Sequence, residues 1–388
     1  MKQAIVVGVG VFGVSAASAL ASRGWQVDLH DAGPVPRPEA ASTDISKIVR
    51  PDYGADTLYT ELMERALPLW TAWNERWREV LYHQDGFLVL AKAAMRPGGF
   101  EHDSLRTLAA RGHAVDRLDS RQLAARFPAW VASRYPDGYF NAWAGWVESG
   151  RALTRMIADA EAIGVRVHSE EGVRELIEDG SRVAGVVTTS GRTVRGDLVL
   201  IAAGAWTPIL APHLAGVMWP VAQPVFHLKP DDPERWRPPQ FTVWAAAIAE
   251  TGWYGFPANA GGIVKIANHG PGRRVHADAA RVVEEGDAAK LRTFLRENLP
   301  ALAAAPLALS KTCLYCDTFD GDFFIGRDPE RPGLAVAAGD SGHGFKFAPI
   351  LGDVIADAIE DKASRFTARF GWRDRADRKA EHARWGLS

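Results

Sequence analysis

Cysteine is almost missing from this chain. Its 388 residues include two, Cys313 and Cys316, spaced as C-x-x-C in KTCLYCDT. No second C-x-x-C and no histidine pair at ligand spacing completes a structural zinc site. Haem attachment fails because Asp317, not histidine, follows Cys316. A thioredoxin-like pair opens a helix in a small βαβ unit, whereas this one leads into the polar, turn-prone DTFDGD. Two buried thiols packing as small hydrophobes remain a sound reading, since that is a frequent fate of free cysteine. Two cysteines also exclude a disulfide framework and fit a reducing compartment, so a cytoplasmic location is expected.

Long apolar runs are missing as well. No stretch reaches the roughly 20 residues that span a bilayer, and no membrane association is expected. The net charge of −2 leaves no basic excess, and no array of aromatic and basic residues marks a nucleic-acid face. Gly 37 and Pro 23 are ordinary totals that exclude collagen-like and low-complexity chains. No internal repeat stands out. What the chain does have is 47% hydrophobic residues and 14 tryptophans, enough for a large core and for aromatic walls around a cavity. Its length suggests two to three domains of about 100–200 residues each.

The amino terminus, MKQAIVVGVGVFGVSAASALASRG, imitates a signal peptide with a lysine, an apolar run and Ala-Leu-Ala. A strand–turn–helix reading accounts for more of it. QAIVVGVGVFG predicts a buried strand entering Gly8-x-Gly10-x-x-Gly13, VSAASALASRG a small-residue helix ending at Gly24, and WQVDLHDAG a second strand closing on Asp31. This is the dinucleotide fingerprint in its required context. Gly8 makes the tight turn, Gly10 lets backbone approach a pyrophosphate, and Gly13 allows helix and strand to pack closely. The free N–H groups of the helix face the phosphates, and Asp31 accepts hydrogen bonds from a ribose.

Beyond it, ASTDISKIVRPDYG reads as a polar loop, DTLYTELMERALPLWTAWNERW as an amphipathic helix starting at Asp56 or Thr57, and GFLVLA as a strand. DSRQLAARFP predicts a short helix, GRALTRMIADAEAIGVRVHSE a helix then a strand, and Ser190-Gly191 the turn of a hairpin. The stretch from about 216 to 270 is strand-rich; LAVAAGDSGHGFKFAPILGDVIADAIED is strand, glycine-rich loop, helix. The expected fold is α/β combined with α+β: a Rossmann-like domain of 1–85, 145–215 and 318–365, and a β-rich substrate domain of 86–144 and 216–317. The chain crosses between them repeatedly, and 366–388 is expected to be a basic, solvated tail.

The blocks VVGVGVFG, KIVRPDYG, LVLIAAGAW, WYGFP, IVKIANH, KTCLYCDT and AAGDSGHGFKF run in this order from about residue 4 to 360. Together they resemble the glycine-oxidase-like flavoenzymes of the DAO superfamily: monomeric sarcosine oxidase, pipecolate oxidase and the fructosyl amino acid oxidases. CLY and SGHGFKF are the most specific matches. TDISKIVR lies nearer the fructosyl-amine and pipecolate branches.

The resemblance implies FAD, held by Gly8, Gly10, Gly13, Asp31, Gly204, Gly342, His343 and Gly344, with the flavin joined covalently to Cys313. It gives Cys316 no role. It implies that a secondary-amine amino acid is oxidised at its C–N bond to an imine while O2 becomes hydrogen peroxide. Arg50 and Lys346 match the pair that binds the substrate carboxylate, for which a planar guanidinium offers a bidentate clamp. Lys265, a charged residue inside the β-branched strand GGIVKIANHG, matches the lysine that activates O2. His269, Tyr254 and Tyr315 match pocket positions, and Lys47 stands where sarcosine oxidases have arginine, beneath the flavin ring. Lysine keeps that charge but loses the fork. No strong general base is evident, which suits a site that orients an already neutral amine. A monomer is expected. A dehydrogenase with another electron acceptor and a flavin-dependent tRNA-modifying domain are the alternatives.

Overall fold

A computed structural model describes residues 1–373 and 375. One half is a six-stranded sheet in the order Phe324–Arg327, Leu334–Ala338, Leu198–Ile201, Gln3–Val7, Gln26–His30, Arg166–His168. All neighbours are parallel except the first pair. The apolar runs follow from burial on both faces, as parallel sheets require. Ala4, Val6, Leu198, Leu200, Ala335 and Ala337 point to one face, packed by the helices Val11–Ser22, Thr57–Trp77, Ser149–Ala162 and Ala348–Ile359. Ile5, Val7, Val199, Ile201 and Val336 point to the other, covered by a three-stranded antiparallel sheet that includes Val183 and Val186. That sheet contains the hairpin anticipated at Ser190-Gly191, between Arg182–Thr188 and Thr193–Arg195. Asp56 caps the helix Thr57–Trp77 by accepting from the Leu58 and Tyr59 N–H groups.

The other half is a large sheet around Met218–Leu228, Val264–Asn268, Trp253–Gly255, Val243–Ala246, Phe87–Ala91 and Asp137–Asn141. The long strand Leu307–Thr318 pairs antiparallel with Met218–Leu228, from Met218 opposite Thr318 to Leu228 opposite Leu307. Strand alternation then separates the cysteines. Cys313 shares a face with Tyr315, Val225 and Ala267, whereas Cys316 enters the core on the far side of the six-stranded sheet. Both thiols are free and buried, so the C-x-x-C spacing makes no pair.

Two local readings change. Lys47–Val49, read as loop, is a three-residue edge strand whose partner sequence spacing does not reveal; it pairs with Gly145–Val147, which on its other side pairs with Tyr82–His83. The solvated tail is corrected over its first residues. Arg365–Phe370 is a helix that buries Phe366 and Phe370 in the helical-face core. Arg369 pairs with Asp322 and Asp56, and Arg373 with Asp320, which neutralises the charge that suggested a solvated stretch. The rest of that stretch lies outside the described residues. Among the described residues no helix is long and apolar enough to cross a membrane.

Candidate active site

A cavity of about 330 Å3 opens at the carboxyl ends of the parallel strands, where open α/β sheets bind ligands. Gly8, Gly10, Asp31, Gly204, Gly342 and Gly344 line it, joined by Lys47, Tyr315 and Asp340. Gly13 stands behind the wall. A Cβ there would sit 1.8 Å from the Gly8 carbonyl oxygen, and one on Gly8, at φ +110, 2.4 Å from the Ala202 carbonyl oxygen. Only glycine permits this approach of helix, turn and strand. The Asp31 carboxylate accepts from the Val9 and Gly33 N–H groups at 2.9 and 3.0 Å, bracing the turn it faces. Ser42 Oγ accepts from the Val11 N–H at 2.9 Å at the helix start. A glycine cradle at a helix amino terminus, with an acid beside it, fits a dinucleotide. Gly13→Ala is expected to weaken retention of the dinucleotide by about tenfold or more, read as loss of bound chromophore in the purified protein.

A second, smaller cavity of about 60 Å3 adjoins the first, and Lys47, Tyr315, Gly342 and Phe345 line both. Arg50, Lys346, Tyr254, His269 and His343 complete it. Strand and loop converge here because the Tyr315 ring packs on Gly342, where a Cβ would stand 2.2 Å from it. Gly342 also has φ +78, so two constraints demand glycine. Arg50 is buried, and its guanidinium lies 5.0, 5.9 and 5.4 Å from the Tyr53, Phe87 and Phe100 rings. Its Nη1 is a buried donor with no hydrogen-bond partner among the described residues. The nearby Asp52 carboxyl is pushed up by burial, against opposing bonds from Tyr139 and the charge of Arg50. Lys346 Nζ donates to Tyr53 Oη at 2.8 Å and to the His343 carbonyl at 3.0 Å. The His343 ring meets Tyr53 Oη at 3.0 Å and the Gly321 carbonyl at 3.1 Å, so it braces the smaller cavity. His269 lies 6.3 Å from Tyr254 and 5.6 Å from Tyr315, ring to ring.

Lys265 and Cys313 stand beside Lys47 but do not themselves line either cavity. Lys265 faces away from Val264 and Ile266, which point into the opposite core, as strand alternation anticipates. Its Nζ ion-pairs with Asp44 at 2.7 Å and donates to the Ser46 carbonyl at 2.6 Å. Burial lowers its pKa to about 8; Asp44 opposes that shift and Lys47 adds to it. Burial alone would lower Lys47 too, but negative charge on the free Cys313 sulfur and on Asp44 outweighs it and raises its pKa.

Three residues of this region escaped the motif reading. Asp44 sits in the polar loop TDISK and Tyr53 just past KIVR, and neither has a local signature. Asp340 lies in the glycine-rich loop, where its carboxylate accepts from the Cys316 and Gly342 N–H groups at 3.0 and 3.2 Å. Burial pushes it up to about 6. An aspartate between glycines before a helix was the available signal.

Residues 3–358 match the family described as DAO, FAD dependent oxidoreductase. The chain is 29% identical to the N-methyl-L-tryptophan oxidase of Salmonella heidelberg (strain SL476), over 93% of this chain and 95% of that protein. It is 26% identical to the monomeric sarcosine oxidase of Bacillus sp. (strain B-0618), over 91% of this chain and 90% of that one. Among solved structures, the deglycating fructosamine oxidase of Aspergillus fumigatus (Amadoriase II) superposes with TM-score 0.84 at 24% identity, covering 99% of this chain and 93% of that one. The modified fructosyl peptide oxidase of Aspergillus nidulans does so with TM-score 0.86 at 20% identity, covering 100% and 96%. These two likenesses show a shared fold.

Proposed function

The chain belongs to the DAO family of FAD-dependent oxidoreductases, and on that premise we propose that it oxidises the C–N bond of a secondary-amine amino acid. Held in the cavity lined by Gly8, Gly10, Asp31, Gly204, Gly342 and Gly344, FAD would supply the two-electron redox chemistry that links oxidation of the amine to an imine with reduction of O2 to hydrogen peroxide. The residues around it bind and orient. The observation that carries the reading is Arg50 Nη1, a buried, unpartnered cationic donor in the wall of the cavity that adjoins the dinucleotide cradle. What sets Arg50 apart from other buried unsatisfied groups is its place in a cavity wall, where a ligand can reach it, and a carboxylate is the best complement of a guanidinium. Lys346, steadied by Tyr53 and the His343 carbonyl, takes the second carboxylate oxygen. Tyr254, Tyr315 and His269 enclose the amine end and exclude water. Lys265 and Lys47 form the basic group on the flavin side, with Lys265 the cation of the O2 step.

Covalent attachment of the flavin to Cys313 is part of this proposal. Cys313 lies two residues from Tyr315 on one face of the strand, and Tyr315 lines both cavities. The yellow colour is expected to stay with acid-precipitated wild-type protein and to move to the supernatant in Cys313→Ala; free flavin from wild type would sink the attachment. Two free thiols suit a reducing compartment, and a cytoplasmic location completes the proposal. A peroxide-coupled screen over sarcosine, pipecolate, N-methyl-tryptophan and fructosyl amino acids tests the function. Peroxide from none of them, with flavin unbleached anaerobically, would reject it.

A further inference from the structure

Asp44 does not belong to the cavities, yet three separate strands bring basic groups onto it. The register sets Lys265 directly opposite His227, and Lys311 opposite Val225 on the other flank of the same strand, Met218–Leu228. Lys265 Nζ reaches Asp44 Oδ2 at 2.7 Å; His227 Nε2 and Lys311 Nζ reach Oδ1 at 3.2 and 3.6 Å. Lys265 and Asp44 are both closed off from solvent, with side-chain exposures of 1% and 2%. The loop carrying Asp44 is pinned from outside, because its carbonyl accepts from Ser149 Oγ at 2.9 Å and the Gly150 N–H at 2.8 Å. The Asp44 main chain is therefore tied by bonds that do not involve the lysines, and its Oδ1 also accepts from the Ile45 N–H at 2.7 Å.

We propose that Asp44 is a positioning residue that holds Lys265 charged and aimed beside the flavin cavity. Lys265 is buried and feels the charge of half-buried Lys47, and both effects favour loss of its proton unless a counter-charge opposes them. The groups facing Lys265 are Asp44, Lys47 and the Cys313 sulfur, which carries no charge once joined to the flavin, so Asp44 is the counter-charge among them. Desolvation works against the Asp44 anion, but Lys265, His227, Lys47 and Lys311 hold it well below the usual carboxylate range. It stays ionised throughout the pH range in which Lys265 titrates. Lys265 keeps its proton below about pH 8 and loses it above, so removing the Asp44 charge moves that loss to lower pH. The inference rests on the reading of Lys265 as the cation of the O2 step.

The test is NMR titration of the holoenzyme labelled with ε-13C lysine, the Lys265 signal being assigned by its absence from Lys265→Met. A wild-type midpoint near 8 is expected. In Asp44→Asn the midpoint falls by about one pH unit or more. Reoxidation of pre-reduced enzyme by O2 then slows about tenfold at pH 9 and matches wild type at pH 6, a rescue that misfolding would not give. Lys311→Met removes a cation competing for the same carboxylate and moves the midpoint upward, an arm that stands even if Asp44→Asn fails to fold. An unchanged Lys265 midpoint in either folded variant overturns the proposal. A lowered midpoint with unchanged reoxidation supports the hold of Asp44 on Lys265 and overturns the part of Lys265 in the O2 step.

Discussion

Arg50→Met is expected to lower kcat/KM for the amino-acid substrate by about 100- to 1000-fold, most of it in KM. A charge-assisted pair in a closed site loses about 2–5 kcal/mol when one partner is truncated, and each 1.4 kcal/mol is about tenfold. The carboxylate lies away from the bond that breaks, so Arg50 binds ground and transition states alike and the loss falls on KM. Thermal stability is expected to move the opposite way. Arg50 is held in a box of Tyr53, Phe87 and Phe100 with Nη1 unsatisfied, an arrangement that costs stability in the unliganded protein. Methionine fills similar space with no buried charge, so the variant should melt no lower than wild type. Steady-state kinetics and a melting curve check both halves. A change in kcat/KM under threefold would leave Arg50 a structural cation and remove the main support for the carboxylate reading.

How much of this was legible beforehand depends on the range of the interactions. The dinucleotide cradle was readable because its strand, glycines, helix and acid fall within 31 consecutive residues and each imposes a local geometry. The strand at Lys47–Val49 was not, since three residues carry no period and its partners are about a hundred residues away at Gly145–Val147. The helix Arg365–Phe370 was mistaken for a tail because charge dominates its composition. Only the structure shows Asp320, Asp322 and Asp56 waiting for its arginines. Asp44 is the plainest case. Its partners Lys265, His227 and Lys311 come together through the register of three antiparallel strands, and no spacing in TDISK announces them. The resemblance supplied Arg50, Lys346 and Lys265 as a set, but not the carboxylate that sets the charge of one of them.

Lys265→Met is expected to separate the two halves of the reaction. Anaerobic reduction of the flavin by substrate should stay within about threefold of wild type, because Lys265 does not line the cavity that takes the amine. Reoxidation by O2 should fall about 100- to 1000-fold, the scale on which one preorganised charge-stabilising group acts. Methionine conserves the length of the side chain and removes the charge, and it leaves Asp44 with the His227 ring and the Lys311 ammonium as partners. The wild-type pH dependence follows the same argument. Lys265 is cationic below about pH 8 and neutral above, so reoxidation should slow as the pH rises through that value. The Met variant should be slow and flat across the range. Stopped-flow traces of both half-reactions from pH 6 to pH 10 decide it. A wild-type rate that climbs with pH, or a variant as fast as wild type, would move the O2 site elsewhere, and Lys47, which lines both cavities, would be the next cation to replace.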